Sequence, residues 1–248
     1  MREGYTAEQA TSFGAAAAEY ERSRPTYPEE AVDWIVPAGA RAAVDVGAGT
    51  GKLTRALAAR GLEVTAVEPS DGMRETLEAE LPAVRALTGS GERLPLEDGS
   101  VDLVTYAQAW HWVEGPAALA EAARVLRPGG RLACVWNLRD DESGWMRELA
   151  LLIERFGSNT VVETDYSFGQ PFGPTEQLAV PWTRPISGEG LVELLASRSY
   201  VIVAPEEERQ QLFAAVRELA ATHPDLAGRE SFEMPYITRC FRAELALG

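Results

Sequence analysis

The sequence predicts an α/β protein: a mostly parallel sheet flanked by helices, with an N-terminal helical segment and a helical cap from the C-terminal half. Three observations carry this. Short apolar runs rich in Val and Ala alternate with helical patterns from residue 42 to residue 137. The first of these runs are nearly continuous, as strands buried on both faces require. Strand–helix–strand alternation implies right-handed crossovers and parallel pairing.

The elements follow in order. Residues 7–22 read as a helix, and Arg24-Pro25-Thr26-Tyr27-Pro28 interrupts it. A second helix is expected over Glu29–Val36. Strands are expected at 42–47, 63–69, 83–89, 101–108 and 131–137, with helices at Leu53–Arg60, Gly72–Glu80 and Pro116–Leu126 between them. Arg127-Pro128-Gly129-Gly130 stops the last of these helices, because Pro cannot continue it and the glycines permit a tight turn. Beyond Asp140, residues 144–156 carry apolar side chains at helical spacing. Residues 178–186 read as a strand, placed at an edge because Pro181 and Pro185 have no N–H to donate. Residues 191–198 and 206–223 read as helices and 230–245 as a last strand. These late elements would supply the cap.

Composition excludes several functions. The 248-residue chain has a formal net charge of -15, which repels nucleic-acid backbones. No window of eighteen apolar residues occurs, so no membrane span is expected. The first residues, MREGYTAEQATSFG, lack the apolar core of a secretory signal, and Cys134 and Cys240 form no disulfide framework. A reducing cytoplasmic location is expected. Two histidines, His111 and His223, make a metal site unexpected.

The strongest chemical signal is Val44-Asp45-Val46-Gly47-Ala48-Gly49-Thr50-Gly51-Lys52-Leu53-Thr54, which follows a strand and opens a helix. Glycines there let the backbone turn sharply and approach a ligand closely. The dinucleotide pattern GxGxxG would need glycine at Lys52 or Thr54, and the P-loop would need glycine at Val46 and Ser or Thr at Leu53, so both fail. The second strand ends Val67-Glu68-Pro69-Ser70. An acid about twenty residues beyond such glycines can accept both hydroxyls of a ribose.

Together these residues resemble the class I S-adenosylmethionine-dependent methyltransferases, whose fold is Rossmann-like. The D-x-G-x-G-x-G loop is complete at Asp45, Gly47, Gly49 and Gly51. The likeness continues through Gly89-Ser90-Gly91-Glu92-Arg93-Leu94-Pro95-Leu96, Ser100-Val101-Asp102-Leu103, Ala107-Gln108-Ala109-Trp110-His111-Trp112 and Arg124-Val125-Leu126-Arg127-Pro128-Gly129-Gly130. This run looks like the small-molecule subgroup that includes trans-aconitate methyltransferases.

The resemblance implies a division of the 248 residues into an N-terminal helical lid (1–36), a cofactor-binding core (37–140) and a cap with the last strands (141–248). S-adenosylmethionine would lie with its methionyl end on Asp45, Gly47, Ala48, Gly49 and Gly51, and its ribose on Glu68 beside Pro69. Its adenine would lie against Met73, Ser90, Gly91 and Glu92. Many relatives carry Asp at the Ser90 position. Tyr20 and Arg24 would close over the methionyl group, with Arg24 facing the carboxylate. S-adenosylhomocysteine would be the product.

In open α/β sheets the ligand sits beyond the carboxyl ends of the strands. Ala107 would therefore face the sulfonium, and Gln108, Trp110, His111 and Asn137 the acceptor. His111 is the candidate general base, since it titrates near neutral pH. Arg139 could attract an anionic substrate. The expected acceptor is a small molecule methylated at a carboxylate or hydroxyl oxygen, by a monomer or homodimer. A methyltransferase-like protein using the pocket for cyclisation or decarboxylation, and a non-catalytic cofactor-binding protein, remain alternatives.

Overall fold

A computed structural model describes residues 21–142, 144–155 and 166–246. Tyr20 and most of the helix expected over 7–22 lie outside the described residues. Residues 21–23 are helical, and α1 follows at Glu29–Ile35. The core then runs β1 (Ala42–Val46), α2 (Lys52–Ala58), β2 (Glu63–Val67), α3 (Asp71–Glu80), β3 (Arg85–Leu87), β4 (Val101–Ala107), a single 3₁₀ turn (Trp110–Trp112), α4 (Gly115–Val125) and β5 (Leu126–Arg139). The C-terminal part adds α5 (Gly144–Arg155), β6 (Glu176–Ile186), α6 (Gly188–Ala196), the short α7 (Ser199–Ile202), α8 (Glu206–Thr222) and β7 (Phe232–Glu244).

The seven strands form one sheet in the order β3-β2-β1-β4-β5-β7-β6. The first five are parallel, and β7 inserts antiparallel between β5 and β6. The expected edge strand is thus at the edge, with Pro181 and Pro185 in it, while the last strand of the chain sits inside the sheet. The order reverses between β1 and β4, so a crevice opens at their carboxyl ends.

Two layers of helix cover the sheet. Ala31, Val32 and Ile35 of α1 and Leu53 and Leu57 of α2 pack on one face, against Ala43, Leu103, Val135, Val180 and Cys240. Ala118, Ala122 and Val125 of α4 pack on the other, against Val104, Tyr106, Leu132 and Cys134. Both faces of β1 are therefore buried, which explains its unbroken apolar run. Local chemistry sets the helix ends. Glu114 accepts from the Ala117 N–H to start α4, and Ser187 accepts from the Gly190 N–H to start α6. A third cluster joins α5, α6 and α8 to Ile186, Phe232, Met234 and Tyr236. Those residues lie where β6 ends and β7 begins, so this helical group sits at the edge where the parallel strands finish.

Two expectations change. The strand expected over 83–89 is ordered as a ladder for three residues, Arg85–Leu87. The last parallel strand starts at Leu126, opposite Val101, and slips in register before Leu103 pairs with Arg131. Pro128 and Gly129, the latter at φ 76, make a bulge there instead of a turn outside the sheet.

Candidate active site

The loop from β1 into α2 turns on glycines with positive φ, Gly47 at 67° and Gly49 at 56°. Their reasons differ. A Cβ on Gly47 would lie 2.6 Å from the Ala109 Cβ, so the loop packs tightly against the turn after β4. Among the described residues, a Cβ on Gly49 would meet nothing within 4 Å. The backbone at Gly49 therefore borders open space, as a surface that receives a ligand must.

Glu68 ends β2 directly beside this opening. Its Oε2 accepts from the Gly49 N–H at 2.8 Å and its Oε1 from the Ser70 N–H at 2.9 Å. The side chain is 7% exposed. Burial pushes its pKa up, opposed by the two backbone bonds and by the nearby Arg74 guanidinium. Each carboxylate oxygen keeps lone pairs beyond the bond it accepts. The carboxylate is thus fixed in orientation and still able to accept from a diol.

Asp45 lies beneath the loop. It is fully buried and accepts from Thr54 Oγ1 at 2.7 Å and from Thr105 Oγ1 at 3.0 Å. Burial raises its pKa to about 6, against those hydroxyl bonds. Its carboxyl ties β1, α2 and β4 together and does not line the cleft.

The cleft itself is lined by Arg24, Pro25, Tyr27, Gly47–Thr50, Lys52, Leu53, Ala107, Gln108, Asn137 and Arg198, and encloses about 40 Å³. It is narrow because the segment 24–27 lies across it. Arg24 donates to Ser197 Oγ at 2.9 Å and to the Ser197 carbonyl at 2.8 Å, and Asn137 Nδ2 donates to the Thr26 carbonyl at 2.9 Å. Glu21 accepts from Thr50 Oγ1 at 2.5 Å, and its carbonyl accepts from Lys52 Nζ at 2.7 Å. The N-terminal segment is thereby tied to the glycine loop, and a nucleoside-sized occupant requires it to shift.

Gln108 ends β4 at φ 57, the left-handed region that costs a non-glycine residue roughly 1–2 kcal/mol. Its Nε2 donates to the Asn137 carbonyl at 3.0 Å. Both residues face the cleft, as expected of strand ends.

Several expected residues do not line this cleft. Trp110 is 4% exposed and makes edge contacts with Tyr106, Tyr166 and Phe168, so it belongs to the core below the cleft. His111 is half-buried on the same turn, 5.0 Å from the Trp112 ring, and is not among the cleft-lining residues. Met73 is buried on the inner side of α3 with Leu77, and Pro69 is exposed. Ser90 lines a separate, wider groove of about 970 Å³ beside β3. Gly91 packs against Tyr106 and Val113, where a Cβ would lie 2.7 Å from Val113 Cγ1. Glu92 accepts from the Glu114 N–H at 2.8 Å; its pKa is lowered although burial opposes this, because of that bond and one from Ser90. The sequence reading missed Lys52 and Arg198 as cleft residues. Lys52 adjoins the third glycine and was within reach of the motif, but Arg198 sits in no recognisable pattern.

Comparison with known proteins agrees with this fold. Residues 44–134 match the model of the methyltransferase domain family. A protein of Mycobacterium tuberculosis named as an uncharacterized methyltransferase is 50% identical over 235 residues, covering 95% of this chain and 96% of that one. A methyltransferase-like protein of Schizosaccharomyces pombe is 34% identical over 243 residues, covering 94% of this chain and 95% of that one. Among solved structures, one described as a type II methyltransferase from Anaeromyxobacter dehalogenans shares the fold at a TM-score of 0.66 and 23% identity, covering 91% of this chain and 99% of that one. With its strand order, its glycine loop and relatives matched along nearly their whole length, this chain belongs to the class I S-adenosylmethionine-dependent methyltransferases.

Proposed function

We propose that the cleft beside Gly49 and Glu68 holds S-adenosylmethionine and that the enzyme methylates a small-molecule acceptor at oxygen. The observation that carries this is the Glu68 carboxylate, locked by the Gly49 and Ser70 N–H groups at 2.8 Å and 2.9 Å beside a glycine whose added Cβ would meet none of the described residues within 4 Å. These residues fit the cofactor: Glu68 would take the ribose hydroxyls, Gly47, Ala48 and Gly49 would lie along the methionyl chain, and Ala107 near the sulfonium. Arg24 would face the methionyl carboxylate. Adenine would lie beyond Glu68 towards Met73 and Gly91. The cofactor supplies an electrophilic methyl on a cationic sulfur.

The protein's task is alignment, which is able to supply roughly 7–11 kcal/mol of a barrier. Gln108 and Asn137 stand at the ends of β4 and β5, where the acceptor would be held. Among the described residues lining the cleft there is no histidine, Asp or Glu. This supports a carboxylate acceptor, already ionised at neutral pH, over a hydroxyl that must lose a proton. The motif likeness over 89–130 to the small-molecule subgroup supports an acceptor of modest size.

The test has two parts. Calorimetry should detect S-adenosylhomocysteine binding that depends on Glu68. Incubation with S-adenosylmethionine and a panel of carboxylic acids and alcohols should release S-adenosylhomocysteine with some of the acids. Absence of binding would overturn the cofactor assignment, and release with alcohols alone would overturn the carboxylate reading.

A further inference from the structure

The molecule carries a charge of -15, yet its cleft is cationic. Arg24, Lys52 and Arg198 line it. Two more arginines rise beside it from the sheet. Arg139 pairs with Tyr236 across β5 and β7, and Tyr236 pairs with Trp182 across β7 and β6. Paired residues and residues two apart share a face, so Arg139, Tyr236, Trp182 and Arg184 all stand on the side that bears Asn137 and Thr238. Arg24 and Arg198 reach the same space from the N-terminal segment and from the end of α6.

These cations are close to one another. The Tyr236 hydroxyl, raised in pKa by burial, feels Arg198, Arg184, Arg24 and Arg139 together. Burial, then Arg24 and Arg139, brings the Arg198 pKa down to about 9. Among the described residues, neither Arg198 nor Arg184 forms an ion pair with a carboxylate. Arg139 has Asp141 at 3.5 Å. Among the described residues, the Nε of Arg198 and the Tyr200 hydroxyl are buried without a hydrogen-bond partner, and the Nε of Arg139 has that one carboxylate contact. Unpaired buried donors on like-charged groups are costly, and a fold keeps them where an anion arrives. Van der Waals packing alone gives no reason for guanidinium groups there.

We propose that Arg139, Arg184 and Arg198, with the Tyr200 hydroxyl, form the subsite for an anionic group, carboxylate or phosphate, of the methyl acceptor. This rests on the reading of the cleft as the cofactor site. S-adenosylmethionine brings one carboxylate, for which Arg24 suffices, so the remaining cations answer to a second anion. Guanidinium forks match planar carboxylate and phosphate oxygens with paired bonds. A cationic pocket in an acidic molecule also focuses the field and draws anions towards the cleft. Neutral alcohols and amines would gain nothing from it.

The full chain, saturated with S-adenosylhomocysteine, is titrated calorimetrically with glutarate, citrate and inorganic phosphate, and with neutral glutaramide as control. At least one anion binds and glutaramide does not. Arg198→Gln weakens that anion about tenfold or more, Arg139→Gln does likewise should the first variant fail to fold, and Arg198→Lys restores part of the loss. S-adenosylhomocysteine affinity stays within about twofold in Arg139→Gln, whose side chain is not among those lining the cofactor cleft. Equal binding of anions and glutaramide, or wild-type anion affinity in both Gln variants, overturns the proposal. Loss of S-adenosylhomocysteine affinity in Arg139→Gln also overturns it, because the cluster would then serve the cofactor's own carboxylate. Failure of the wild-type protein to bind S-adenosylhomocysteine would strike the cofactor reading instead, and is seen before any anion is added.

Discussion

The Asn137 amide oxygen accepts from Thr238 Oγ1 at 2.6 Å, and that hydroxyl in turn accepts from Trp182 Nε1 at 2.8 Å. With Asn137 Nδ2 on the Thr26 carbonyl, one amide links β5, β7, β6 and the segment across the cleft. Asn137 stands at a strand end where a substrate contact is expected, but its amide is committed to this framework. Asn137→Ala should therefore cost about 1–3 kcal/mol, since it strands a buried Thr238 hydroxyl and the Thr26 carbonyl. Urea unfolding measures the loss. S-adenosylhomocysteine affinity should fall several-fold as segment 24–27 loosens. Full stability with full affinity would show the chain of bonds to be dispensable.

Glu68→Ala removes the acceptor for the ribose and for the Gly49 and Ser70 N–H groups. A hydrogen bond to a charged group contributes about 1.5–3 kcal/mol, so losing two should weaken S-adenosylhomocysteine binding by at least about a hundredfold. Titration calorimetry, with circular dichroism to confirm folding, checks it. Unchanged affinity would move the ribose elsewhere.

Gly49→Ala separates strain from occlusion. Its Cβ meets nothing within 4 Å among the described residues, but φ is 56°. Stability should fall by roughly 1–2 kcal/mol from the left-handed backbone. Cofactor affinity should fall far more, because the new methyl enters the space proposed for the methionyl chain. A variant that binds normally would show that the ligand keeps clear of this loop.

Much of this was legible in the sequence, for local reasons. The glycine loop and Glu68 are set by backbone chemistry within one β–α–β unit, and the apolar runs of β1 and β4 announce burial on both faces. What the sequence hid depends on long-range packing. Trp110 follows a strand end, where contact with substrate is a fair expectation, yet Tyr166 and Phe168 from a distant loop draw it into the core. Arg198 reaches the cleft because α6 folds back to meet Arg24, 173 residues from Ser197 in sequence. No periodicity encodes such a meeting. The insertion of β7 between β5 and β6 likewise follows from tertiary pairing and not from any property of its own residues.

Asp45 should make stability depend on pH. Its folded pKa is raised from 3.8 to about 6 by burial. A raised carboxyl pKa means that the folded state holds the proton more tightly than the unfolded chain. Stability from this group is therefore full below about pH 4 and is lost as pH rises through about 6. A shift of about two units corresponds to about 3 kcal/mol. Asp45→Asn keeps the shape and removes the titration. Urea unfolding between about pH 4 and 8 should show a decline in the wild-type protein, over the background of other groups, that the variant lacks. Parallel curves would mean that Thr54 and Thr105 offset the burial entirely.

His111 provides the last test, because position alone recommends it as a base. It follows the strand whose end faces the proposed methyl, but the 3₁₀ turn Trp110–Trp112 sets its ring beside Trp112, and it does not line the cleft. Methylation of a carboxylate requires no proton removal, since such groups ionise near pH 4. With an acid found by product release, the single-turnover rate should be flat from about pH 6 to 8 in the wild-type protein and in His111→Ala alike. The variant should retain the rate within about threefold, any loss coming from slack in the turn that carries Gln108. Were His111 a general base, its removal would cost about 10²–10⁴ in rate, and the wild-type rate would rise through about pH 6.5 where the variant's does not. That outcome would place a proton transfer in the mechanism and turn the acceptor from a carboxylate to a hydroxyl.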